Sequence, residues 1–163
     1  MLLVEEEAHQ GGALQALRAS MQDPVIAIDL EFEHLQSRSA RVAMVQLASS
    51  RIAVLIRTCR MDNKLPKVVK EFLQDPSICL LGFGWAGNDE HKMQRSFGIG
   101  RKDFGRILDL QDVARMFECQ RAGFQRLTQP VLCMKLSKSS RGGWAAQQVT
   151  PGRVRRGRIA CVK

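Results

Sequence analysis

The run Val25–Phe32, VIAIDLEF, limits how this chain folds more than any other stretch. Successive side chains of a strand point to opposite faces, so Ile26, Ile28, Leu30 and Phe32 form one apolar face while Val25, Ala27, Asp29 and Glu31 share the other. The first face requires a core on one side of a sheet. The second brings two carboxylates side by side, where they repel each other and lose hydration, at a cost on the order of several kcal/mol per ion if dry and unpaired. Either an Arg or Lys clamp or a divalent cation, Mg²⁺ or Mn²⁺, must offset that cost. The cation reading predicts further acids at the ends of later strands or helices.

The remaining pattern alternates short β-like runs with helical periods. A helix is expected over Gly12–Met21, then the strand Val25–Glu31, then Val42–Ala48 (VAMVQLA) and Ile52–Ile56 (IAVLI), separated only by Ser49, Ser50 and Arg51 as in a hairpin. Leu65, Val68, Val69, Phe72 and Leu73 recur at three-and-four spacing, which predicts a helix started by Asp62 or Asn63 and ended near Pro76. A strand over Ile78–Phe83, a helix over Asn88–Phe97, a short strand Ile107–Leu110 and helical segments through Met116 and through Phe124–Met134 follow. This order describes an α/β domain with a mixed sheet.

With 163 residues and 45% hydrophobic content the chain has material for one core. The segment MLLVEEEAHQ carries acids where a signal peptide carries bases, and no stretch approaches the ~18 apolar residues of a membrane span, so a soluble intracellular protein is expected. Five cysteines with no CxxC pair argue against a disulfide framework and a zinc site. The net charge of +9 is unevenly spread: residues 1–118 hold 15 Lys/Arg against all 16 Asp/Glu, and residues 119–163 hold 10 Lys/Arg and no acid. Such a tail reads either as an ordinary solvated basic face or as a phosphate-binding surface.

Asp89, in LLGFGWAGND, opens a helix directly after a strand and is the next candidate acid. The same segment offers a competitor, because Gly82, Gly84 and Gly87 fit GxGxxG and Asp109 falls about where a ribose-binding acid belongs. A pyrophosphate there would meet Asp89 and Glu90 at the helix start, and Phe83 and Trp85 crowd the loop, so this nucleotide-cofactor reading ranks below the metal reading.

VIAIDLEFE, VAMVQLA, LLGFGWAGND and ILDLQDVAR, in this order and at these intervals, resemble the 3′–5′ exonuclease domain of the four-carboxylate (DEDD) superfamily, in its tyrosine branch. That branch includes ribonuclease D, the Werner-syndrome-type exonuclease and the proofreading domains of bacterial DNA polymerases. The similarity continues weakly through MKLSKSSRGGW and VTPGRVRRGRIA, and so covers about Val25–Ala160. The resemblance implies a ribonuclease-H-like mixed β-sheet flanked by helices, with an N-terminal extension and helix over 1–24, the exonuclease-like core over 25–138 and a basic, atypical segment over 139–163. It implies two-metal hydrolysis of terminal phosphodiesters from the single-stranded 3′ end of DNA or RNA, with Mg²⁺ or Mn²⁺ held by Asp29, Glu31 and Asp89 as catalytic and metal-binding acids. Leu30, Phe32 and Trp85 would border the terminal base, against the alternative of core packing, and Lys135, Lys138, Arg153 and Arg156 would contact nucleic acid. Asp109 reads as structural, His34 and His91 as surface or helix-start residues, and Gln46 as exposed on its strand.

The third motif of the family departs. In register with Trp144 and VTP, its Tyr and its final Asp fall on Arg156 and Ala160; the chain has no tyrosine at all and no acid after Glu118. The tail therefore reads in three ways: an altered translation of the expected segment, a degenerate domain that keeps nucleic-acid binding through Arg153, Arg155, Arg156 and Arg158, or a site completed by a partner chain. Each predicts impaired chemistry from this polypeptide alone, and the rival to an exonuclease is a catalytically weak nucleic-acid-binding module of the same fold.

Overall fold

In the computed structural model the described residues are 1–33, 40–117, 123–124, 126–128 and 133. They build β1 (Leu2–Val4), α1 (Gln10–Ala19), β2 (Val25–Phe32), β3 (Val42–Ala48), β4 (Ala53–Ile56), α2 (Lys67–Gln74), β5 (Cys79–Gly82), α3 (Asn88–Phe97), β6 (Ile107–Asp109) and α4 (Leu110–Met116). The six strands form one mixed sheet in the order β1-β4-β3-β2-β5-β6, flanked by helices. β3 runs antiparallel to both of its neighbours, while β1 pairs β4, β2 pairs β5 and β5 pairs β6 in parallel. All strands except β3 therefore end at the same edge of the sheet, the edge where open α/β sheets place their ligand sites.

The core follows the apolar pattern. Ile26, Ile28, Leu30 and Phe32 are buried, and every residue of β3 and β4 is buried, as expected of strands covered on both faces. Leu17 of α1, Val69 and Leu73 of α2 and Met93 of α3 complete the same apolar cluster.

Two departures from expectation have identifiable causes. α2 begins at Lys67, not at Asp62 or Asn63, because Pro66 disfavours the helical conformation at Leu65. Asp62 and Asn63 instead adopt left-handed φ values of 53° and 55° in a turn closed by Asn63 N–H donating to the Thr58 carbonyl at 3.0 Å. β1 went unanticipated: Leu2–Val4 is too short for a period to be read, and its partner β4 lies some fifty residues further on. The helical segment expected over Phe124–Met134 lies mostly outside the described residues, where Phe124 and residues 126–128 are helical.

Candidate active site

β2 carries the first two acids as its alternation dictates. Asp29 and Glu31 are half-buried on the face opposite Ile28, Leu30 and Phe32, close to the end of the strand. Asp29 Oδ1 accepts a hydrogen bond from the Leu30 N–H at 3.0 Å. Burial nevertheless dominates and pushes the Asp29 carboxyl above its ordinary value. Glu31 Oε1 accepts from the Gln46 side-chain amide at 3.1 Å. The β2–β3 register shifts between Glu31 and Phe32, a bulge of the kind that re-aims side chains at a sheet's end.

The third acid arrives from the neighbouring strand. β5 ends at Gly82, and α3 starts at Asn88 with Asp89 and Glu90 in its first turn, where the helix dipole favours negative charge. α3 ends at Gly98, whose φ of +69° is the left-handed stop that glycine permits. Asp89 is half-buried, and its carboxyl is pushed up to about 7 by burial first, then by the charge of Asp29; Lys92 pulls it down and Asp109 adds a smaller push. The structure thus brings Asp89 within the electrostatic reach of Asp29. Among the described residues neither forms an ion pair within salt-bridge distance. Lys92, whose charge acts on Asp89, is buried with its Nζ 3.7 Å from the centre of the Phe32 ring.

The glycine-rich segment is not a phosphate cradle. The Gly84 and Trp85 N–H groups, which would face a pyrophosphate, donate to the carboxylate of Asp109 at 2.8 and 2.7 Å. Asp109 is buried and also caps α4 by accepting from Gln111 N–H at 2.9 Å, so its role is structural, as expected. Glu90 is engaged as well, accepting from Trp85 Nε1 at 2.7 Å and from the Arg101 N–H at 3.0 and 2.9 Å.

Two further corrections concern side chains. Leu30, Phe32 and Trp85 are all buried in the core, the alternative weighed for them; Lys92 lies over the Phe32 ring, and Trp85 packs edge-on against Phe104 at 5.5 Å. Gln46, expected to be exposed, is fully buried. It and Lys92 are the site residues that sequence reasoning missed; a lone Gln within VAMVQLA, where a core strand should be apolar, was the available signal. His91 is exposed, as expected. His34, Lys135, Lys138, Arg153, Arg156 and Ala160 lie outside the described residues.

Chemically, the edge offers oxygen donors from half-buried carboxylates, and two of them have no cation paired to them among the described residues. That donor set suits a hard divalent ion. Among the described residues no three Asp, Glu, His or Cys side chains are grouped closely enough to hold an ion together.

With this geometry defined, similarities to known proteins become informative. The sequence model of a 3′–5′ exonuclease family matches residues 6–151. Human exonuclease 3′-5′ domain-containing protein 2 is 26% identical over 166 residues, covering 94% of this chain and 26% of the human protein. The chain thus spans about a quarter of the length of that relative. Among solved structures, Escherichia coli RNase D, an exoribonuclease involved in structured RNA processing, superposes with a TM-score of 0.76 at 22% identity over 98% of this chain and 40% of its own. Brucella melitensis NrnC with bound Mg²⁺ superposes with a TM-score of 0.70 at 21% identity over 86% of this chain and 68% of its own. The solved structures establish the shared fold, and the match over residues 6–151 establishes the lineage: this chain belongs to the 3′–5′ exonuclease family.

Proposed function

We propose that the sheet edge bearing Asp29, Glu31 and Asp89 holds a divalent cation, Mg²⁺ or Mn²⁺, and engages the 3′-terminal phosphodiester of single-stranded DNA or RNA for hydrolysis. The observation that carries this reading is the pair Asp29 and Asp89: two half-buried carboxyls, both above their ordinary value, with no side-chain cation paired to either among the described residues. A bound cation would offset both burdens. NrnC, of similar fold, has been seen with Mg²⁺, and also bound to pGG, which supports the same ligand chemistry here.

When bound, the cation supplies Lewis-acid polarisation of the phosphodiester and stabilises charge on the phosphoryl oxygens. The chain's own residues do the placing. Asp29 would hold the cation from β2 and Asp89 from the first turn of α3, and Glu31, which accepts from Gln46, would bind the cation and the terminal 3′ hydroxyl. The tyrosine and final acid of the family's third motif have no counterpart in a chain without tyrosine and without an acid after Glu118. Hydrolysis is therefore expected to be slower by orders of magnitude than from a complete site, since each missing polar catalytic group costs roughly 3–4 kcal/mol.

The test is degradation of a single-stranded oligonucleotide labelled at the 3′ or the 5′ end, with Mg²⁺ or Mn²⁺, beside Asp29→Asn. Slow shortening from the 3′ end that the variant loses is the expected result. No cleavage, with salt-sensitive binding that Asp29→Asn leaves unchanged, favours a nucleic-acid-binding module of exonuclease fold instead.

A further inference from the structure

Lys92 is a buried cation to which the proposed hydrolysis gives no part. It lies in α3, only 2% exposed, with its Nζ 3.7 Å from the centre of the Phe32 ring. Among the described residues it has no carboxylate within salt-bridge distance. An ammonium taken out of water is costly, and the face of one aromatic ring offsets only part of that cost. An apolar side chain would be the simpler occupant of so buried a position.

The charge that answers it is on its own helix. Asp89 stands three residues earlier in α3, so the two side chains emerge as neighbours on one face. Burial and then the charge of Asp29 push the Asp89 carboxyl up, and the charge of Lys92 opposes them. Burial pulls the Lys92 ammonium down in turn, and the charge of Asp89 works against that. From the same helix face Lys92 reaches Phe32, the last residue of β2, the strand that carries Asp29 and Glu31. One side chain therefore links the first turns of α3 to the end of β2 and brings a positive charge to the place where acids from two elements meet.

We infer that Lys92 is the built-in counter-charge of the acid edge: it answers the carboxylate of Asp89 along α3 and, through the ring of Phe32, ties that part of the helix to the end of β2. The inference does not rest on the cation reading, since Lys92 offsets the acid charge in a chain that holds no ion. Removing one member of a buried charge pair leaves the other uncompensated, so the loss of Lys92 is felt most where Asp89 keeps its charge.

The experiment is a double-mutant cycle read by thermal melting of the full chain at about pH 8 in chelator, as wild type, Lys92→Met, Asp89→Asn and the double variant. Lys92→Met keeps the length of the side chain and removes its charge. The expected result is a midpoint lowered by about 5 °C or more in Lys92→Met, and a loss less than half as large when the same change is made in the Asp89→Asn background. A Lys92 that only packs on Phe32 would cost the same in both backgrounds, and such additive losses, or a wild-type midpoint in Lys92→Met, overturn the inference. Should Lys92→Met fail to fold, recovery of folding on adding Asp89→Asn is the expected result, and a double variant that also fails to fold overturns the inference. The melts contain no divalent ion, so their outcome is separate from whether the edge binds one.

Discussion

Asp89 sits in the first turn of α3 with its carboxyl pushed up to about 7 by burial and by the charge of Asp29. Between the ordinary carboxylate value and about 7, the folded chain holds a proton that the unfolded chain has released. This contribution favours folding at low pH and is lost as pH rises through 7. Asp89→Asn is therefore expected to raise the unfolding midpoint at about pH 8 in chelator, by the equivalent of roughly 1–3 kcal/mol, and to change it little near pH 4. Thermal melting at the two pH values checks this, and coincident melts at the higher pH would show that the acids do not strain each other. Added Mg²⁺ is expected to reverse the order, stabilising the wild type and not the variant. Asp29 and Glu31 drew notice in the sequence because an apolar strand disfavours carboxylates, and Asp89 because it opens a helix directly after a strand. Gln46 and Lys92 did not, because their meaning depends on which strand lies beside which and on where Phe32 points.

α3 is held to the sheet by side chains at both ends. Asp109, at the end of β6, gathers the Gly84 and Trp85 amides before the helix. Ser96, in its last turn, accepts from the Val42 N–H of β3 at 3.0 Å. Asp109→Ala would leave three N–H groups seeking partners and is expected to destabilise the fold by about 2–4 kcal/mol, measured by denaturant unfolding. An unchanged midpoint would mean that water or other acceptors replace the carboxylate. Packing also fixes the turn before β6: a Cβ on Gly105 would collide with the Asp75 carbonyl group, so Gly105→Ala should be poorly tolerated. The bounds of β3 and α3 were readable, since a run apolar but for Gln46 marks one and a turn and a glycine bracket the other. β1 and the start of α2 were not, one being a non-local pairing of three residues and the other decided by a proline's effect on the residue before it.

Five of the six described strands point their ends toward one edge of the sheet, and the acids collect there, while the positive charge of the chain is concentrated after residue 118. The α/β class and mixed sheet followed from the order of the elements, and the basic residues after 133 lie outside the described residues. If Arg153, Arg155, Arg156 and Arg158 bind phosphates, replacing all four by Ala will flatten the dependence of log affinity on log salt by about 0.7 for each phosphate of a single strand that is no longer neutralised. Fluorescence-anisotropy titrations across a salt series would reveal this, and an unchanged slope would assign the arginines no part in binding. The indole of Trp85, one of two tryptophans in the chain, is buried with its Nε1–H on Glu90, the residue next to Asp89. Its emission wavelength should respond to the local electric field, so in a Trp144→Phe background the protein carries its own optical gauge of events at the acid edge, readable in a cuvette without label or substrate.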